Sequence, residues 1–114
     1  MGSHHDPAIF LAARQAGLAQ FITAQVYNVP LEEMRRPTRG RPLVARARQI
    51  AIHLARRVFG FSLRELALEF GRDRSTVQHA VNQVEARREA SAEFDSTLRW
   101  METLLRRAAG QEGA

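Results

Sequence analysis

Residues 61–84, FSLRELALEFGRDRSTVQHAVNQV, decide how this chain folds. Ser62 followed by Glu65 is the capping-box pattern that starts a helix. Leu63, Leu66, Ala67 and Phe70 recur behind it at helical spacing, and Gly71 offers the left-handed backbone on which a helix stops. A second helix restarts at Asp73 or Ser75, both good N-cap types, with Val77, Ala80, Val81 and Val84 on its inner face. Arg74, Ser75, Thr76, Gln78 and His79 fall on its outer face near the N-terminus. Two helices joined by a tight turn, the second with a polar tip, are what a helix-turn-helix requires. The apolar stripes lock the pair together, and the tip is left to enter a major groove.

Working outward, residues 43–59 predict the most regular helix. Ala47, Ile50, Ala51, Leu54 and Val58 form a buried stripe, with Arg46, Arg48, Gln49, Arg56 and Arg57 off it and Gly60 closing it. Residues 35–42, RRPTRGRP, predict a loop, because two prolines and a glycine interrupt a helix and four arginines oppose burial. A basic, irregular arm beside a helix-turn-helix suits a minor groove, where narrow A·T tracts attract arginine. The plainer alternative is a solvated linker.

Asp6 and Pro7 open a first helix that runs to about Tyr27, with Phe10, Ala13, Gly17, Phe21 and Ala24 on one face. Residues 31–34 add one turn that drops Leu31 and Met34 into a core. Downstream, the second motif helix continues to about Arg88. A last helix over 90–107 turns Phe94, Leu98, Met101 and Leu105 inward and leaves Trp100 off the stripe. The Gly- and Ala-rich stretch 108–114 predicts a frayed tail. Gly2, Ser3, His4 and His5 resemble a tag scar, so residues 1–6 are set aside. No strand pattern occurs. The predicted fold is all-α: a small helical bundle, one domain over 7–107, built around a helix-turn-helix at 62–88.

Composition agrees with a folded domain: 114 residues, 45% hydrophobic and 25% charged. The 17 basic residues against 12 acids give +5, and all 17 are arginine. Arg35, Arg36, Arg39, Arg41, Arg46 and Arg48 cluster within one short stretch. Arginine forks onto phosphate and guanine, so the partner this predicts is nucleic acid. The chain has no cysteine, which excludes disulfides and thiolate metal sites. No apolar run reaches the ~20 residues that span a bilayer, and the N-terminus lacks a signal-peptide pattern. The expected location is the cytoplasm, on the nucleoid, with no membrane, metal or cofactor. No convergent set of acids and bases supports an enzyme: Asp73 and Ser75 lack a histidine to complete a triad and read as capping residues. His53, beside the buried stripe, reads as structural or surface, and His79 as a phosphate or packing contact. Glu85 and Glu89, with Arg88, read as a solvated charged face.

Residues 45–85, ARARQIAIHLARRVFGFSLRELALEFGRDRSTVQHAVNQVE, resemble the DNA-binding fourth domain of the bacterial replication initiator DnaA. The shared features are the ARQ-containing helix, the SLxEL-type helix and the signature that reads GRDRSTVQHA here. The resemblance implies a bundle around a helix-turn-helix of the Trp-repressor type, docked on double-stranded DNA through both grooves. It assigns base contacts to Asp73, Arg74, Ser75 and Thr76, and backbone contacts to Arg48 and Gln49. Leu63 and Arg64 fall at DNA-proximal positions, and either Arg39 or Arg41 enters the minor groove. Beside what the resemblance assigns, Arg72 in the turn and His79 on the second motif helix complete the candidate DNA-binding set.

Three positions depart from the family pattern. One glycine fewer precedes Arg72 and Asp73, Arg74 stands where the family has histidine, and Gln83 stands where it has a basic residue. A longer charged fork at Arg74 can read guanine and shift the preferred sequence. The chain has no GxxxxGK[ST] phosphate loop and no lysine to build one. The expected role is therefore sequence-specific transcription regulation without its own ATPase. It would act on paired sites or with a partner in the transcription machinery, as in the similar alphaproteobacterial activators of gene transfer agent genes. The alternative is a DnaA-box-binding replication initiator fragment or competitor at the origin.

Overall fold

A computed structural model of the chain describes residues 7–111. They form six helices: α1 (Pro7–Tyr27), α2 (Leu31–Arg35), α3 (Pro42–Phe59), α4 (Leu63–Phe70), α5 (Arg74–Ala90) and α6 (Ala92–Ala108). The fold is an all-α bundle, with no strand among the described residues. The expectations for residues 1–6 and 112–114, including the Asp6 cap, lie outside them.

The bundle is organised around α3, which contacts every other helix. Pro42 begins α3 where its missing N–H costs nothing, and Gly60 ends it in the left-handed region at φ 72°. Val44, Ala47, Ile50, Ala51, Ile52, Leu54 and Ala55 are all buried, a wider band than the predicted stripe. Around Ile50, Ile52, Leu54 and Ala55, Leu66 of α4, Val77, Ala80, Val81 and Val84 of α5, and Leu98, Met101 and Leu105 of α6 complete the main core. Burying each large side chain of this kind contributes about 1.5–3 kcal/mol. A smaller cluster of Ala24, Val29, Met34, Val44, Ala47 and Ala51 sits under α2 and the basic loop. Asn28, left-handed at φ 52°, closes α1 and turns Val29 into that cluster.

Two expectations change. The predicted inner face of α1 is largely outside: Phe10 is 56% and Phe21 50% exposed, and Ala13 is exposed too. The buried side is instead Ala16, Ala19, Gln20, Thr23 and Ala24, with only Ala24 shared. α1 is apolar on most sides, so spacing alone gave no unique stripe. Tertiary packing selected the side of small residues, which lets α3 approach closely, and the Thr23 hydroxyl donates to the Ala19 carbonyl at 2.8 Å. The expected frayed tail is ordered over its first residues. Gly110 N–H reaches the Arg107 carbonyl (3.0 Å) and Gln111 N–H the Arg106 carbonyl (2.8 Å), the paired bonds of a Schellman closure.

Candidate nucleic-acid interface

The helix-turn-helix is fixed from both ends of α4. Glu65 N–H donates to the Ser62 hydroxyl at 3.1 Å, while Ser62 N–H donates to the Glu65 carboxylate at 2.8 Å. The bond from the Ser62 backbone holds the Glu65 carboxyl below its ordinary pKa. At the other end Gly71 sits at φ 62°, a left-handed turn a β-carbon would strain. Arg72 N–H closes back on the Ala67 carbonyl at 3.0 Å. Residues 71–73 thus make a compact turn, and α5 begins at Arg74.

Asp73 occupies the N-cap position of α5 but makes no side-chain capping bond, contrary to the capping reading. Its carboxylate is exposed at the tip, together with Arg74, Ser75 and Thr76. His79 is exposed one turn further on, and Gln78 donates to the Asn82 amide oxygen at 3.0 Å along the same surface. Val77, Ala80, Val81 and Val84 are buried, so packing sets the rotation of α5 and turns the polar residues outward.

The basic loop lies beside this tip. A cleft of about 520 Å³ between the two is lined by Pro37, Arg39, Arg48, Gln49, Arg72, Asp73, Thr76 and His79, among others. Seven of the twelve residues assigned to the site therefore line one cleft. Arg74 and Ser75 are exposed beside it on the α5 tip. Arg64 is exposed at the start of α4, and Leu63 is half-buried against the main core; neither lines the cleft.

The loop arginines are not equivalent. Arg41 is paired with Glu33, its Nη2 at 3.0 Å and Nε at 3.3 Å from one carboxylate oxygen. The Arg39 side chain is exposed and forms no ion pair among the described residues. Arg48 and Arg72 line the cleft with guanidiniums that already donate within the protein. Arg48 is 7% exposed, and its guanidinium donates to the carbonyls of Met34 (2.8 Å), Arg39 (3.0 Å) and Glu33 (3.1 Å). Burial, followed by the nearby charge of Arg72, lowers its pKa. Arg72 donates to the carbonyls of Pro37 (2.6 Å) and Arg36, while its Nε is shielded with no partner.

Two residues outside the assigned set, Arg46 and Gln83, line an adjoining shallow cleft with Arg39, Gln49 and His79. The spacing held the clue: Gln83 is one helical turn beyond His79, and Arg46 one turn before Gln49.

The bacterial DnaA protein helix-turn-helix family matches residues 18–84 of this chain, more than half of it. The chain belongs to that family. Among curated relatives, the chromosomal replication initiator protein DnaA of Acinetobacter baumannii is 39% identical over 87 residues. Those residues are 75% of this chain and 18% of the relative. The DnaA protein of Anaplasma marginale is 37% identical over 91 residues, 79% of this chain and 19% of that protein. The chain thus spans about a fifth of the length of these relatives. A crystal structure described as a DNA replication initiation factor superposes with a TM-score of 0.76 at 27% identity. The match covers 86% of this chain and 30% of that one. The domain is therefore a DnaA-type helix-turn-helix, and both its family and its fold support binding to double-stranded DNA. The family match takes in the second part of α1 together with the basic loop, α3 and the motif itself, and the last three build the cleft.

Proposed function

We propose that this domain binds double-stranded DNA sequence-specifically, with the α5 tip in the major groove and the basic loop in the adjacent minor groove. The observation that carries the reading is the shared cleft: the exposed tip and the loop of Arg39 flank one groove-facing surface. Arg74, Ser75, Thr76 and the uncapped Asp73 supply donors and acceptors for base edges. Arg39 is the better candidate of the two loop arginines for the minor groove, because Glu33 engages Arg41. Gln49, Arg64 and His79 supply phosphate contacts at the margins.

The role we favour is transcription regulation, on the strength of Arg74. An arginine there donates bidentately to guanine, so the preferred site shifts away from the box read through histidine. A protein partner or a second site would then extend a specificity that one small module limits. The names of the relatives, replication initiators, support a second reading, in which the domain occupies origin boxes as an initiator fragment or competitor. Selection of bound duplexes from a random pool separates the two. Recovery of a promoter-type sequence whose preferred guanine disappears with Arg74→Ala supports regulation, and recovery of the DnaA box supports the origin reading. Equal retention of selected and scrambled duplexes would sink both.

A further inference from the structure

We infer that Arg48 and Arg72 are positioning residues that latch the basic loop from beneath, and that Arg72 ties the loop to the turn of the helix-turn-helix. The inference rests on the DNA-binding reading above and assigns to these two arginines a task other than touching DNA.

Residues 33–39 offer five carbonyl oxygens to the two guanidiniums: Glu33, Met34 and Arg39 to Arg48, and Arg36 and Pro37 to Arg72. The loop's other ties are side-chain ones at its two ends: the exposed Arg41–Glu33 pair and Arg35 Nε, which donates to the Gln20 amide oxygen at 2.8 Å. Its backbone closes on itself through a single long bond, from Arg36 N–H to the Glu33 carbonyl at 3.3 Å, and Pro37 and Pro42 have no N–H to donate. A guanidinium is a rigid planar fork, and the neighbouring carbonyls of Arg36 and Pro37 fit its two prongs. An ammonium group carries the same charge on a flexible stem without that planar fork.

Three consequences follow from the geometry. Arg72 immediately precedes Asp73 and Arg74, so any shift of the turn moves the loop with the reading tip. The acceptors are neutral, so both charges remain uncancelled beneath the surface offered to DNA. The loop is also ordered before binding, which removes part of the ordering cost that a free arm would incur.

The test uses the full chain with Arg72→Lys, Arg72→Ala, Arg39→Ala and the Arg39→Ala/Arg72→Ala double variant. Trypsin cuts poorly before proline, so Arg36–Pro37 and Arg41–Pro42 resist it, and Arg35–Arg36 and Arg39–Gly40 are the scissile bonds of the loop. Both Arg72 variants are expected to be cut there severalfold faster, read by mass spectrometry at early times. Cuts at Arg64 and Arg74 should stay slow, which excludes general unfolding. On a selected duplex, Arg72→Lys and Arg72→Ala should lose affinity alike, by about tenfold, and Arg72→Ala should lose little more once Arg39 is absent. A lysine variant that binds and resists trypsin like the parent would overturn the latch, since charge alone would then suffice. So would losses at Arg39 and Arg72 that simply multiply. A parent chain that ignored duplex DNA would remove the functional reading, and the trypsin comparison would still decide the latch.

Discussion

Two corners of the bundle use arginine in opposite ways. Under the loop, Arg48 and Arg72 bond only to backbone carbonyls, and Arg39, Arg46 and Arg74 nearby form no ion pair among the described residues. Where α3, α5 and α6 meet, the Arg88 guanidinium lies 2.6 Å from Asp95 and 2.7 Å from Glu102. Arg57 and Arg99 reach the same two acids, at 3.5 and 2.9 Å. The first corner keeps its positive field; in the second, two carboxylates offset most of the charge of three arginines. Partner type, rather than the arginine itself, decides whether the charge is offered to a polyanion or used to join helices. Arg88 also corrects the reading of that surface as merely solvated, because its side chain is only 9% exposed.

Breaking the second corner should have the largest effect. Arg88→Met leaves the buried Glu102 without its closest cation, and such losses cost about 3–5 kcal/mol. Urea titration should show that drop, while the folded fraction keeps its affinity for DNA.

Acid should attack the same corner through His53, which is 2% exposed. Arg88 can only donate, so its 3.0 Å approach makes His53 Nε2 the acceptor and puts the ring proton on Nδ1, which has no partner. Burial, then the charge of Arg88, lowers the His53 pKa from 6.5 to about 4. Between those values the unfolded chain binds the proton and the folded chain does not. Stability is therefore full above about pH 6.5 and falls as pH drops toward 4, by at most about 3 kcal/mol. A His53→Leu variant whose melting temperature keeps the parent's slope across that window would refute the assignment.

At the first corner the effects fall on recognition. Arg74→Ala is expected to flatten discrimination at one base pair by about 1–3 kcal/mol and to leave stability unchanged, as read by competition between selected and altered duplexes. Arg39→Ala should be milder in energy but distinctive in kind. Affinity should fall for all sequences, and the slope of log K against log salt should lessen by about 0.9 for each phosphate no longer neutralised. An unchanged slope would mean that this arginine does not touch the backbone.

Much of this molecule was legible in its residues. The Ser62 and Glu65 pair, the Gly71 stop and the valines of α5 are local signals, acting over three or four positions, and they produced the expected motif. The Leu98, Met101 and Leu105 stripe likewise became the buried side of α6. The face of α1 was not legible, because apolar residues surround much of that helix and only its neighbours could choose among them. Nor was the work of Arg48, whose acceptors lie 9–15 residues away, or of Arg72, whose acceptors lie 35 and 36 residues away.

Sequence by itself determined the helices, their stops and the polar tip of α5, since each depends on spacing and backbone preference within a turn or two. Only the tertiary structure decided which arginines face outward, which lie pinned beneath the loop and which are neutralised. A guanidinium bonds equally well to a carbonyl, a carboxylate or a phosphate, and folding alone determines which of them comes within reach.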